Sequence, residues 1–196
     1  MFGRSNEQKR NNGASPDLLV AHMPSVVSIV GFDLSGVTNE IESATFSFQM
    51  RNDMEAPVGI TICPMAQTIG NAEWNEGSGH LGMQGQNACT GEATFRHRAH
   101  PAHPWESASG NGVLNLMDSA LWQRPVAKLP DVRWKQDVWI TVPVNDIAWL
   151  EAVRNAEQKT VTFGLWGTSG NGLYRIGSKE SGNGPRLVLQ LNDPGK

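Results

Sequence analysis

Short stretches in which apolar and polar residues alternate recur along the chain, and turn residues bound each of them. The clearest is "ESATFSFQM" (42–50), where Ala44, Phe46, Phe48 and Met50 share one face and polar residues share the other. Successive side chains of a β-strand point to opposite faces, so this pattern predicts a strand with one buried face. Further strands are predicted at 17–22, 26–34, 58–63, 138–144, 160–166, 173–178 and 186–191.

One segment has helical periodicity instead. "NDIAWLEAVRNA" (145–156) carries apolar residues every three to four positions, and either Asn145 or Asp146 can cap its start. Many short strands, Gly-Asn-Gly turn signals and one short helix together predict an all-β fold, an antiparallel β-sandwich of jelly-roll type.

The length of 196 residues fits one domain with a sizeable core. We expect a polar lead at 1–10, a single β-sandwich module at 11–192 and a tail at 193–196. The lead has no apolar stretch of the kind a signal peptide needs, and no apolar run is long enough to span a membrane. The net charge of −3 gives no overall attraction to nucleic acid or to an anionic membrane. We therefore expect neither as a partner, and we expect a monomer.

The two cysteines, Cys63 and Cys89, have no zinc-site spacing, because a structural zinc site needs four clustered ligands. The sequence leaves open whether the two thiols are bridged or free.

Three of the five histidines lie in "TFRHRAHPAHPW" (94–105). If 93–99 is a strand, His97 points inward and His100 points to the other side, so the two cannot chelate one ion. His100 and His103 then lie on a proline-bounded loop, and no transition-metal site is predicted. The expected role of His97 is that of a histidine at the edge of the core, bonded to backbone.

The outward row of this stretch predicts a basic ridge of Arg96, Arg98 and His100 that ends at Trp105. Guanidinium groups bind carboxylates with two parallel hydrogen bonds, and an aromatic face stacks on a sugar ring. This combination suits an acidic polysaccharide. The alternative is that the arginines pair with acids of the protein or stay solvated.

Two further regions add candidates. In "SKE" (178–180), Lys179 is expected on a ligand surface and Glu180 on the opposite, inner side, where hydrogen bonds or a cation hold it; the alternative leaves both solvated. Trp139, Trp149 and Trp166 are expected in the core, whereas Trp74, Trp105 and Trp122 are the candidate sugar platforms. The predicted ligand-binding residues are Arg96, Arg98, His100, His103, Trp105, Arg175 and Lys179.

No catalytic motif of the G-x-S-x-G, H-E-x-x-H or P-loop type is present, and no pair of acids fits a glycosidase. We therefore predict no catalytic residue. The alternative enzyme is a polysaccharide lyase using His97, Arg98 and Tyr174, and a third reading is a purely structural extracellular surface domain.

Six stretches, in order, resemble the DNRLRE-type β-sandwich modules of secreted bacterial polysaccharide-degrading proteins. They are "NNGASPDLLV" (11–20), "GFDLSGV" (31–37), "ESATFSF" (42–48), "AEWNEGSG" (72–79), "GEATFRHRAHPAHPW" (91–105) and "VTFGLWGTSGNGLYRIGSKESGNGPRLVLQL" (161–191). The chain departs from the family in two places: the first strand is missing or short before Asn11, and Phe95 stands where tryptophan is frequent.

The resemblance implies a non-catalytic carbohydrate-binding module that targets an attached catalytic domain to an alginate-like uronan. It also implies a secreted, extracellular or periplasmic location. No cofactor is implied, although such modules often carry structural calcium, whose ligands the sequence does not identify.

Overall fold

The computed structural model describes residues 8–22, 26–53, 57–79, 85–113 and 115–193, which form mainly antiparallel strands. The strands are β1 (Arg10–Asn11), β2 (Asp17–Ala21), β3 (Val27–Asp33), β4 (Ile41–Gln49), β5 (Val58–Pro64), β6 (Gln86–Asn87), β7 (His97–Ala99), β8 (His103–Glu106), β9 (Gly112–Val113), β10 (Ala127–Val132), β11 (Trp139–Pro143), β12 (Thr160–Gly170), β13 (Leu173–Gly177) and β14 (Arg186–Leu191). The helices are α1 (Ile69–Ala72) and α2 (Ile147–Asn155), with 3-10 turns at Ser119–Leu121 and Lys179–Ser181. Residues 1–7 of the expected lead and 194–196 of the expected tail lie outside the described ranges.

Strands β13 and β14 act as two halves of one interrupted strand. Both run antiparallel along the same edge of β4, since Ile176 bridges to Met50 and Arg186 pairs with Ser47. The loop 178–185 leaves the sheet between the two halves. We call the pair β13/β14.

Two sheets result, in the orders β2–β13/β14–β4–β11 and β3–β12–β5–β10. Numbered along the chain, these eight strands give the orders 1-8-3-6 and 2-7-4-5, in which strands from both ends of the chain interleave within each sheet. This is the jelly-roll arrangement of two Greek keys. The predicted fold class is confirmed.

The core between the sheets is built from the inward half of each alternating strand. Phe46 and Phe48 of β4 and Phe163 of β12 are fully buried, and the rings of Phe46 and Phe163 lie 5.0 Å apart. Edge-to-face and tilted aromatic contacts at this spacing stabilise by about 1 kcal/mol beyond the burial of area. The alternation in 42–50 is thus the pattern that sets which side of β4 faces inward.

Helix α2 closes one end of this core, as the periodicity predicted. Asp146 is the residue that caps it, accepting a hydrogen bond from the backbone N–H of Trp149 at 3.0 Å. Leu150 and Val153 are fully buried against the sheets. None of the helices in the described ranges is long and apolar enough to cross a membrane.

The two sheets differ in what covers their outer faces. The described residues of the segment 65–126, between β5 and β10, fold back over the β3–β12–β5 side and form a second apolar cluster there, which includes Val27 of β3 with Phe95 and Trp105. Trp122 approaches Gly164 so closely that a Cβ at that position would lie 2.3 Å from its ring. We call this side the covered face. The outward side of the other sheet is the open face.

Several elements were not predicted from the sequence. Strand β10 contains Pro130 and Asp131, which disfavour a strand, and it is an edge strand whose only partner is β5. The four-residue helix α1 is too short to show periodicity, so the prediction of one helix was incomplete. The predicted strand 93–99 was wrong over its first half, because only His97–Ala99 is extended and paired.

Candidate functional site

Strand alternation places a row of polar and aromatic side chains on the open face. Ile140 and Val142 of β11 point into the core, so Trp139 and Thr141 point outward, and the same logic turns Arg186 of β14 outward. Thr141 and Arg186 are exposed, and Trp139 is half-buried. The expectation that Trp139 belongs to the core was therefore wrong.

Arg186 stacks on the ring of Trp139. Its guanidinium carbon lies 4.2 Å from the ring centroid, a cation–π contact that fixes the position of the fork. Arg186 forms no ion pair with any carboxylate of the described ranges. The guanidinium stacks on the ring through its flat face, so the N–H groups at its edge stay available to bind an oxyanion.

Two more arginines lie further along the same face. The backbone N–H of Arg51 donates to the carbonyl of Arg175 at 2.7 Å, so the residues are neighbours across strands. Both side chains contact one carboxylate, Asp17, at 3.4 Å from Arg51 and 3.5 Å from Arg175. Two guanidinium groups therefore share one carboxylate. This group of two arginines lies about four residues, or roughly 14 Å, along the strand direction from Arg186.

A pair of hydroxyls lies beside Arg186, and the amide of Gln49 lies between the two arginine groups. The Ser47 and Thr141 hydroxyls are 2.9 Å apart, and Gln49 donates through Nε2 to the carbonyl of Asp137. The buried Oε1 of Gln49 has no hydrogen-bond partner in the described part of the chain. The open face thus offers donors and acceptors that could bind the hydroxyls of a sugar.

The histidine stretch has a different geometry from the predicted ridge. Thr94 closes a tight turn, in which its N–H donates to the carbonyl of His97 at 2.7 Å and its Oγ1 accepts from the N–H of Arg96 and of His97. This turn brings the rings of His97 and His100 to a centroid distance of 5.3 Å. The prediction that they lie on opposite sides of a strand was wrong. The side-chain contact of His97 is with the Thr94 hydroxyl at 3.4 Å, not with backbone.

Trp105 is not a sugar platform. Its side chain is completely buried in the covered-face cluster, and its indole N–H donates to the carbonyl of Thr94 at 3.0 Å. His103, two residues earlier on strand β8, is exposed, so burial along this short strand does not follow strict alternation. The large apolar surface of the indole is better stabilised by burial than by display.

Arg98 is largely neutralised. It forms an ion pair with Glu106 at 3.3 Å, and only 15% of its side chain is exposed. The alternative considered for this arginine, pairing with an acid of the protein, is the one that the structure has.

Two residues of the predicted ridge, Arg96 and His100, form a compact basic patch with Lys9 and His97. Burial, followed by the positive charges of His100, Arg96 and Lys9, lowers the pKa of His97 below its usual 6.5. Apart from Lys9, which precedes β1, the patch lies on the segment that covers the β3–β12–β5 side, opposite the open face.

Lys179 and Glu180 do not project to opposite sides, contrary to the prediction. They lie in the 3-10 turn Lys179–Ser181, and their charged groups are close enough to form an ion pair. Lys179 forms ion pairs with Glu76 and with Glu180, the latter at 3.7 Å, and its side chain is 70% exposed. A hydrogen bond to Glu76, above all, raises the pKa of Lys179.

The residues named for a lyase do not form a site. Tyr174 is completely buried, and its hydroxyl donates to the carbonyl of Val132 at 2.8 Å and accepts the N–H of Trp134 at 3.0 Å. It therefore has a structural role, remote from His97 and Arg98 on the covered side.

The thiols are separate. Cys63 is buried, and burial raises its pKa to about 12, while Cys89 is exposed. Within the described ranges, no three His, Cys, Asp or Glu side chains gather as a metal site would require. The structural calcium implied by the resemblance stays a prediction.

Sequence reasoning missed Arg51, Trp139 and Arg186 as site residues. The signal was present in the alternation of "RLVLQL" and "VWITVPV", because the inward apolar positions leave Arg186 and Trp139 on the outer side. What the sequence does not show is that these strands, distant along the chain, are neighbours in one sheet.

Neither the known protein families nor the curated proteins include a match to this chain. The resemblance to DNRLRE-type modules therefore stays a prediction.

Proposed function

We propose that this protein is a non-catalytic carbohydrate-binding module that holds an acidic polysaccharide, of the alginate-like uronan class, on its open face. The observation that carries the proposal is the Arg186 guanidinium, held on the Trp139 ring with no carboxylate of the described residues as partner. A uronate carboxylate would accept two parallel hydrogen bonds from this fork.

The rest of the open face supports a polymer rather than a single sugar. Arg51 and Arg175, which share Asp17, form a second group of guanidinium donors roughly 14 Å away along the strand direction. The Ser47 and Thr141 hydroxyls lie beside Arg186, at the same register across the strands. A chain with repeated carboxylates would contact both groups at once. Following the resemblance, we further propose that the module is secreted and targets an attached catalytic domain to this polysaccharide.

Calorimetry with a uronan oligomer and with a neutral glucan oligomer of the same length tests this proposal. We expect binding of the uronan only, weakening with salt because exposed charge contacts are screened. Arg186→Ala should weaken binding about tenfold, within the range for a charge-assisted contact that stays partly wet. Arg186→Lys, which keeps the charge but loses the fork, should be intermediate.

Arg96→Ala, on the opposite side of the molecule, is the matched control and should bind like the wild type. Equal affinity for the neutral glucan, or an unchanged affinity of Arg186→Ala, would refute the proposal. Ultraviolet absorbance from an unsaturated uronate product would instead establish the lyase alternative.

A further inference from the structure

Strand β3 forms the end of its sheet, and no strand of the described ranges pairs with the outer edge of its second half, Ile29 to Asp33. The N–H of Leu34 donates to the carbonyl of Lys159 at 2.7 Å. This bond and the strand register show which residues of β3 form main-chain hydrogen bonds with β12. Hydrogen-bonded and non-bonded pairs alternate along an antiparallel ladder, so Ile29, Gly31 and Asp33 direct their N–H and C=O groups away from β12. No hydrogen bond from the described ranges reaches these main-chain groups.

This edge lies in a cleft of about 350 Å³, which we call the edge cleft. Leu18 and the half-buried Phe32 form its apolar floor at the side of the sandwich. Trp74 forms one wall, and Lys179 and Pro185 of the loop 178–185 form the other.

The walls of the edge cleft explain why the edge of β3 does not pair with other chains without limit. Exposed edges are normally blunted by charges, bulges or covering loops, because they template pairing with other chains. Here the recess keeps the edge of a second sheet away but leaves room for one strand. The ion pair between Glu76 and Lys179 joins the two walls, and both side chains are exposed, so the pair contributes little and opens readily.

We propose that the edge cleft docks one extended peptide segment, which pairs its main chain with Gly31 and Asp33. Donors and acceptors recur there every two residues, about 6.8 Å, which is the repeat of an extended peptide. Alternate side chains of the segment would lie against Leu18 and Phe32, so the segment carries apolar residues at every second position.

Amide hydrogen exchange measured by NMR tests the edge directly. In the free protein we expect Gly31 and Asp33 to exchange at least about tenfold faster than Val30 and Phe32, although all four lie in one strand. The soluble probe peptide acetyl-Lys-Thr-Val-Thr-Val-Thr-Lys-amide at millimolar concentration should slow exchange at Gly31 and Asp33. The same peptide with both valines and the central threonine N-methylated should not.

Gly31→Pro removes the N–H that faces the guest without removing a bond to β12, and it should weaken binding of the probe at least two- to tenfold. Gly31→Ala keeps the N–H and is the control, since a Cβ there meets the Trp74 ring at 3.2 Å and the Thr160 methyl group at 3.6 Å, on the face of the sheet and not at its edge. If Gly31→Pro does not fold, the N-methylated peptide carries the comparison alone. Slow exchange at Gly31 in the free protein, no effect of the probe, or slowing by a uronan oligomer in place of the peptide would each overturn the proposal.

Discussion

Glu92 is the most heavily hydrogen-bonded carboxylate of the described ranges. It accepts the N–H of Ser78 at 2.9 Å and its hydroxyl at 2.7 Å through one oxygen, and Asn11 Nδ2 at 2.9 Å and the N–H of Cys89 at 2.8 Å through the other. Burial acts to raise the pKa of Glu92, but the hydrogen bonds from Ser78, Asn11 and Cys89 outweigh it and lower the pKa to about 2. One side chain thus joins three segments of the covering region.

Glu92→Gln should lower the free energy of unfolding at pH 7 by about 1–2 kcal/mol, because the amide replaces an acceptor by a donor facing N–H groups. The folded-state pKa of Glu92 is below the unfolded value, so its contribution is present above about pH 4.5 and is lost as the pH falls towards 2. Urea denaturation from pH 7 to pH 2 should therefore show the wild-type and variant curves converging at low pH.

The matched control for this measurement is Glu157→Gln, at an exposed position, which should change stability by less than about 0.5 kcal/mol. A constant difference between the wild type and Glu92→Gln down to pH 2 would show that ionisation of Glu92 is not what stabilises the fold.

At the scale of elements, Trp105 fixes the β7–β9 hairpins to the covered face. Trp105→Ala should destabilise the protein by about 3–5 kcal/mol, the usual range for removing a large buried aromatic side chain. His103→Ala, two residues earlier on the same strand but exposed, should have an effect within about 0.5 kcal/mol. Denaturant unfolding followed by circular dichroism measures both. A loss below 1 kcal/mol for Trp105→Ala would mean that these hairpins contribute little to the folded state.

The same elements show how far sequence reasoning reaches. Strands such as β4, with four alternating inward residues, were predicted to within one residue, because burial of one face dictates the pattern. The turn at Thr94–His97 was missed because its geometry depends on a side-chain hydroxyl accepting backbone N–H groups, which the apolar pattern does not report. The misplaced Trp105 and His100 follow from that single error in backbone conformation.

The candidate site was less predictable than the fold. Arg175 was predicted as a binding residue on the surface. Its proximity to Arg51, however, depends on the pairing of β13/β14 with β4. Pairing partners in a jelly roll come from distant parts of the chain, so local periodicity assigns the face of a residue but not its neighbours.

At the scale of the whole molecule, positive charge is divided between two opposite sides, although the net charge is −3. The open face carries three arginines around Asp17 and Trp139, and the covered side carries the basic patch with its two histidines. Arginine stays protonated at all physiological pH values, whereas histidine gains its charge below about pH 6.5. The dependence of binding on pH therefore distinguishes which side holds the polymer.

If the open face binds the uronan through its arginines, the affinity should be constant within about twofold between pH 6 and pH 8. Neither the arginines nor the carboxylates of the glycan titrate in that range. If the basic patch binds it, affinity should rise only as the pH falls below 6.5, and further below than for a free histidine, because burial and neighbouring cations lower the pKa of His97. Calorimetry at constant ionic strength, with wild type, Arg186→Ala and Arg96→Ala, separates the two cases. The measurement extends to about pH 5, where the protein is below its pI of about 5.9 and overall positive charge adds unspecific attraction, so only the part of the increase that Arg96→Ala removes is assigned to the patch. An affinity that climbs steeply below pH 6 and is lost in Arg96→Ala would move the site to the histidines and leave the arginines of the open face as solvated surface.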